Sequence, residues 1–328
     1  MTTESPTAKR RRTIYFFGAG ASAAESPVAP TNVELFERIR QSLVDRRELH
    51  PSLHRFLSRW ERGGYAQMPT VEELLSILDT CLVRGEPIGR DWSITELTEC
   101  REELLGFIHE FIGHTCEVGA EGPAKGLYDR LLACLPREEL SLVSLNYDTL
   151  LDGAALRLGL RPDYGLDFLY HPGASDEDRG IKLFKLHGSM NWAYCPSCLT
   201  TIYTQERRIR PEQTCPNCTR ALDALIVPPS PLKVPPSPFL SALWKKAEWE
   251  LSRAEAIVFI GYSLSDADAN IRYLLFRGFF DYEPRVTVVL DREMPAVQAR
   301  YSRLFPGGVE FFLGGFEAYL ERCEAGVS

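Results

Sequence analysis

Residues 13–22, Thr-Ile-Tyr-Phe-Phe-Gly-Ala-Gly-Ala-Ser, constrain the fold of this chain more than any other stretch. Thr13 to Phe17 are β-branched or aromatic without a break, which predicts a short strand buried on both faces, as in a parallel sheet. Gly18-Ala19-Gly20 then predicts a sharp turn, and Ser22 is placed to cap the helix that follows. In such a strand–glycine turn, backbone N–H groups can approach a phosphate or ribose that side chains would fend off. A Gly-x-Gly by itself fits a tight structural turn as well as a nucleotide cradle. The full dinucleotide fingerprint carries a third glycine three residues on, and Ala23 occupies that place.

Two later stretches favour the cradle. Leu142–Asp148 and Leu183–Trp192 each run a hydrophobic strand into polar residues. In an open parallel sheet, ligands bind beyond the carboxyl ends of the strands. Asn146, Asp148 and His187 are therefore expected around the same crevice as Gly18, Ala19, Gly20 and Ser22, the cofactor-binding candidates of the turn. The Asn146 amide can donate to and accept from a ribose hydroxyl and a water at once, with Asp148 in a supporting role. The competing role for both residues is to cap a helix over 149–158. His187 ends a strand and precedes Gly188, and a neutral imidazole there can take a proton as a general base.

Four of the nine cysteines form two Cys-x-x-Cys pairs, Cys195/Cys198 and Cys215/Cys218, separated by sixteen residues. That spacing predicts a tetrahedral four-cysteine zinc ribbon, structural because no ligand position is left for water. The other five cysteines are scattered among apolar residues, a reduced, cytoplasmic pattern rather than a disulfide framework. The net charge of −8 argues against tight nonspecific nucleic-acid binding. The run Lys9–Arg12 is read as part of a flexible basic tail over 1–12. No stretch approaches the ~20 apolar residues of a membrane span.

Between the first two strands, residues 32–136 read as helical by period. Leu35, Phe36, Ile39 and Leu43 form one apolar stripe, and Leu53, Phe56, Leu57 and Trp60 form another, ended by Gly63-Gly64. Thr70 with Glu73 predicts a capping box, Ile94–Phe111 a longer helix, and Gly122-Pro123 the start of the last one. Ala23–Pro30 reads as a loop, as do the prolines from 228 to 238. Downstream, Ala256–Ile260 and Val286–Leu290 predict further strands. Ser265, Asp266 and Asp268 are placed to cap a helix over 269–276. Asp291 follows the late strand, where an acid commonly accepts from ribose hydroxyls.

These motifs, in this order and placement, resemble the sirtuin family. Its Gly-Ala-Gly-x-Ser turn matches 18–22, its Asn-x-Asp matches 146–148, and its catalytic His-Gly matches 187–188. Its zinc ribbon follows at the same point, over 193–220 here, and its Gly-x-Ser-Leu matches 261–264, which makes Gly261 and Ser263 phosphate-binding candidates. The similarity covers roughly 13–30 and 140–315 and leaves the helical block outside. The implied fold is α/β: a Rossmann-like parallel sheet with helices on both faces, a helical insertion after the first strand and a zinc ribbon held by four cysteines. The implied ligand of a catalytic domain over 13–328 is NAD.

Protein-deacylating sirtuins carry Gly-Ile-Pro-x-Phe-Arg after the first turn, whereas residues 26–31 are Ser-Pro-Val-Ala-Pro-Thr. With that departure and the large insertion, the chain is closest in pattern to bacterial sirtuin-like NAD hydrolases of anti-phage defence. The expected reaction is hydrolysis of the nicotinamide–ribose bond, with His187 as base and Asn146 positioning ribose and water. Protein deacylation and non-catalytic NAD or ADP-ribose sensing are the alternatives. The insertion is expected to serve a homo-oligomer contact or a regulatory partner. A valine at Gly20 is expected to abolish NAD binding while leaving the fold mostly intact.

Overall fold

The strand β1 (Thr13–Phe17) lies at the centre of the molecule, with Ile14, Phe16 and Phe17 buried almost completely. The computed structural model describes residues 12–46, 48, 50–62, 70–119, 126–136, 140–166, 168, 180–204, 213–227, 238–266, 268–280 and 282–326. β1 pairs in parallel with β2 (Leu140–Ser144) on one side and with β8 (Ala256–Ile260) on the other. Beyond β2 come β4 (Gly180–Lys185) and then β3 (Arg161–Asp163). Beyond β8 come β9 (Arg285–Leu290) and β10 (Glu310–Leu313). The sheet thus has seven strands in the order β10-β9-β8-β1-β2-β4-β3, every pair parallel. From β1 the chain proceeds to one side of the sheet and later returns on the other. Such a reversal opens a crevice at the carboxyl ends of β1 and β8.

The helices α6 (Leu127–Cys134), α7 (Leu150–Arg157), α8 (Pro238–Leu251), α9 (Ala269–Gly278), α10 (Pro295–Leu304) and α11 (Gly315–Glu324) pack around this sheet and share its apolar core. Between β1 and α6 run α1 (Ala19–Glu25), α2 (Asn32–Arg46), α3 (Pro51–Arg62), α4 (Val71–Arg84) and α5 (Ile94–Gly119). Helices α2 to α5 bury their apolar stripes against one another in a second core that includes Ile39, Leu53, Leu74, Leu78 and Leu104. The Thr70–Glu73 capping box opens α4, and Gly85, at φ 65°, closes it by donating to the carbonyls of Cys81 and Leu82. A three-stranded sheet, β6-β5-β7, stands apart from the parallel one. It consists of β5 (Gly188–Tyr194), β6 (Thr201–Tyr203) and β7 (Asp223–Ile226). Met190 of β5 inserts into the helical core, joining the two layers.

Several local expectations are corrected. Residues 23–25 continue α1, so the loop begins only at Ser26, whose N–H still bonds the Ser22 carbonyl. Gly18 caps α1, and Ser22 lies inside the helix with its side chain engaged elsewhere. Helix α5 runs past Phe111 to Gly119 because its apolar face continues through Ile112. Asp268 precedes α9 without a side-chain cap; its carboxylate instead accepts from the Tyr262 hydroxyl at 3.0 Å. Residues 1–11 of the basic tail, Gly63-Gly64, Gly122-Pro123, the 206–210 link and the prolines from 228 to 236 lie outside the described residues.

Candidate active site

The crevice beside β1 is a cleft of ≈ 350 Å³. Gly18, Ala19, Gly20, Asn146, His187, Gly261, Ser263 and Asp291 all border it, so these candidates are brought together. Their positions are graded by burial. Asn146 and His187 are 9% and 5% exposed at the inner end, whereas Ser263 and Asp291 are exposed at the outer one. Ser22 and Asp148 instead border an adjoining cavity of ≈ 70 Å³. The two cavities share Ala19, Glu72, Leu145, Asn146 and Tyr147 on their walls.

The glycine turn is shaped by backbone packing. Gly20 donates its N–H to the Gly261 carbonyl at 2.9 Å, and Gly18 donates to Ile260 at 3.0 Å. A Cβ on Gly18 would lie 2.7 Å from the Gly261 oxygen, and one on Gly20 would lie 2.9 Å from the Gly261 Cα. Gly261 itself holds φ 63°, where a Cβ would sit 2.0 Å from the Ala21 nitrogen. The three glycines therefore let the loops after β1 and β8 touch. The expectation that valine at Gly20 would spare the fold fails for this reason.

Ser22 is the hub of the inner end. Its hydroxyl donates to Asp148 Oδ2 at 2.8 Å and accepts from Asn146 Nδ2 at 2.8 Å. With its one proton committed to Asp148, it also accepts from the Tyr128 hydroxyl at 3.2 Å. Asn146 Nδ2 donates in addition to the Gly18 carbonyl at 2.9 Å, which ties the loop after β2 to the glycine turn. Asp148 Oδ1 accepts from the Leu150 N–H at 3.1 Å, so the helix-capping alternative holds for this residue alongside its bond to Ser22. Burial pushes the Asp148 carboxyl above its ordinary range, against the pull of Lys185, Ser22 and the Leu150 N–H.

His187 sits in the turn between β4 and β5, with Nδ1 3.1 Å from the Leu145 carbonyl. A carbonyl only accepts, so Nδ1 carries the proton in the neutral ring and Nε2 carries the lone pair. That tautomer leaves Nε2 as the nitrogen able to take up a proton. Gly188 follows at φ 82°, where a Cβ would lie 1.9 Å from the Leu225 oxygen. The glycine of His-Gly thus serves the close crossing of β5 and β7.

Sequence reasoning missed four residues here. Lys185 is wholly buried beneath the site, donating to Asp152 Oδ2 at 2.9 Å and to the Asp148 carbonyl. A lysine in the apolar run 183–186 was the available signal. Tyr147 lies between Asn146 and Asp148, its ring centroid 6.1 Å from that of His187, and donates its hydroxyl to the Val227 carbonyl. Glu72 of α4 and Asp268 border the cleft from outside the motifs; no spacing announces them.

The four cysteines of the paired motifs meet as well, their thiol sulfurs all within 4.8 Å of one another. Sγ separations of 3.4, 3.6 and 3.7 Å are recorded for Cys195–Cys218, Cys198–Cys215 and Cys198–Cys218. A tetrahedral zinc with Zn–S of about 2.3 Å sets sulfurs about 3.8 Å apart, so the donor set and its geometry fit zinc. The two knuckles repeat one backbone design. Leu199 donates to the Cys195 carbonyl and Thr219 to the Cys215 carbonyl, each at 2.8 Å. Both residues take a left-handed conformation, φ 56° and 59°. Among the described residues, no helix is long and apolar enough to cross a membrane.

Comparison with known proteins agrees with this architecture. No curated protein matches the sequence. Among solved structures, a mutant Sir2 homologue in complex with ADP-ribose is similar, with TM-score 0.50 and 16% identity over 96% of this chain and 92% of the other. A Sir2 homologue in complex with NAD gives TM-score 0.49 and 17% identity over 96% and 90% of the two chains. The sequence itself matches the family described as SIR2-like domain over residues 140–304, half of its length, from β2 to the end of α10. The chain belongs to the SIR2-like domain family.

Proposed function

We propose that this SIR2-like domain binds NAD in the cleft and hydrolyses its nicotinamide–ribose bond, releasing nicotinamide and ADP-ribose. The observation that carries the reading is the convergence of Asn146 and His187 on the buried inner end of a cleft floored by the glycine turn. ADP-ribose, the product of this reaction, is the ligand in the similar Sir2 homologue. In the proposed reaction the C–N bond to nicotinamide breaks, water oxygen bonds the ribose carbon, and the water's proton passes to His187 Nε2. The Leu145 carbonyl keeps the ring in the basic tautomer. Asn146, held by Ser22 and the Gly18 carbonyl, positions the ribose and the water. Asp148 acts through Ser22 to hold Asn146 in place.

Two features favour water over an acyl-lysine as acceptor. Residues 26–31 lack the aromatic and the arginine of the deacylase loop. The helical insertion stands against the cleft, with Glu72 on its wall and Tyr147 packed on its core. An NAD-consuming role in anti-phage defence accords with the resemblance of the sequence.

The test is to incubate the purified protein with NAD, with and without an acetylated peptide, following nicotinamide and peptide mass together. Nicotinamide should appear without peptide. His187→Ala and Asn146→Ala should each reduce its release ~10²–10⁴-fold, and the double variant should be little slower than either, because residues acting as a unit are not additive. Nicotinamide that appears only in step with peptide deacylation would replace hydrolysis by deacylation. Binding without either reaction would leave a sensor.

A further inference from the structure

The helical insertion does more than flank the cleft. Its helix α4 places Glu72, 9% exposed, on the wall that the cleft and the smaller inner cavity share, beside Asn146 and Tyr147. The backbone that bears it and the carboxyl itself are each anchored. The capping box of Thr70 and Glu73 sets the first turn of α4, and the Ser265 hydroxyl donates to Glu72 Oε2 across 3.3 Å from the loop after β8. Two further carboxyls border the cleft but not the inner cavity: Asp268, which accepts from Tyr262, and Asp291, exposed at the outer end. No lysine or arginine is among the described residues that border the cleft. The inner end is therefore a low-dielectric site whose carboxyl groups are Glu72 and, on the adjoining cavity, Asp148, which is already bonded to Ser22 and the Leu150 N–H. A positive charge is favoured there and a negative one disfavoured.

We infer that Glu72 is a substrate-contact residue that recognises the positively charged pyridinium of oxidised NAD, so that the insertion selects oxidised over reduced dinucleotide. This rests on the NAD reading above. The adenosine and phosphates are common to both dinucleotides, and only the nicotinamide ring changes charge between them. A carboxylate next to Asn146 meets that ring end. Asp268, confined to the main cleft, is not expected to make the distinction.

The experiment measures affinities for oxidised NAD, NADH and ADP-ribose by calorimetry in the His187→Ala background, where the dinucleotide persists. Glu72→Gln keeps an oxygen for Ser265 to donate to and removes the charge. It should weaken oxidised NAD roughly tenfold, the scale of one charge-assisted contact, and leave NADH and ADP-ribose unchanged. Glu72→Asp retains the charge and should retain the preference for the oxidised form; it serves as the test if the glutamine variant does not fold. Equal losses for all three ligands, no loss for any, or a selective loss on Asp268→Asn instead would overturn the assignment. Failure of the background protein to bind any of the three would overturn the NAD reading itself, an outcome separable from a Glu72 failure because ADP-ribose is then lost before Glu72 is touched.

Discussion

A Cβ on Gly20 would meet the Cα of Gly261 at 2.9 Å, and valine adds two further methyl groups. Overpacking of this kind costs about 1–3 kcal/mol, so Gly20→Val should lower stability by that amount and lose ligand binding with it. Thermal melts of the two proteins check this; an unchanged melt with lost binding would restore the cradle as the glycine's sole purpose. Asp148 makes a pH prediction of definite sign. Its folded-state carboxyl titrates above its ordinary 3.8 because burial outweighs Lys185 and its hydrogen bonds. Between 3.8 and the raised value the folded state holds the proton that the unfolded state has released. The contribution of this group to stability is thus fully present below 3.8 and falls as pH rises through that window. Asp148→Asn should flatten that slope in urea titrations at stepped pH, and an unaltered slope would assign it to another group.

Among the elements, the small sheet β6-β5-β7 depends most on something other than its own core. Its strands are only three to seven residues long, and two knuckles in left-handed turns bring the four thiols together at its margin. Structural zinc binding supplies about 10–16 kcal/mol in zinc-finger peptides, so Cys195→Ser should lose both metal and folded yield. Metal analysis alongside expression tests it; folded wild-type protein without stoichiometric zinc would exclude the site. The strand β5 carries this ribbon into the rest of the molecule. It begins at Gly188 beside His187 and sends Met190 into the helical core, so disorder in the ribbon would be felt at His187. Strand β4 contributes differently, through the buried pair Lys185–Asp152, to which the Tyr164 hydroxyl adds a bond at 2.6 Å. That pair, with Lys185 also holding the Asp148 carbonyl, fixes the loop after β2 relative to the turn that bears His187.

At the scale of the whole molecule, two apolar cores meet at one cleft, one under the parallel sheet and one within α2 to α5. Much of this was legible in the sequence. A short run of β-branched and aromatic residues fits a strand buried on both faces, and Asn146 and His187 follow such strands by one or two residues. The pairing of the cysteines was equally plain, because zinc accepts few ligand spacings. These are local properties, set by a strand's length, a turn's chemistry or a metal's geometry. The remainder depended on contacts between residues far apart in the chain. Ser22 reads as a helix cap, yet its bonds run to Asn146 and Asp148, more than 120 residues away. Gly20 reads as room for a ligand, yet the backbone of Gly261 occupies that room. Glu72 reads as one acid in the first turn of an amphipathic helix and reaches the cleft only because the insertion folds back over it. Periodicity and motif spacing specify what each segment becomes; which segments touch is decided by how the two cores pack, and that is information no single stretch of the chain contains.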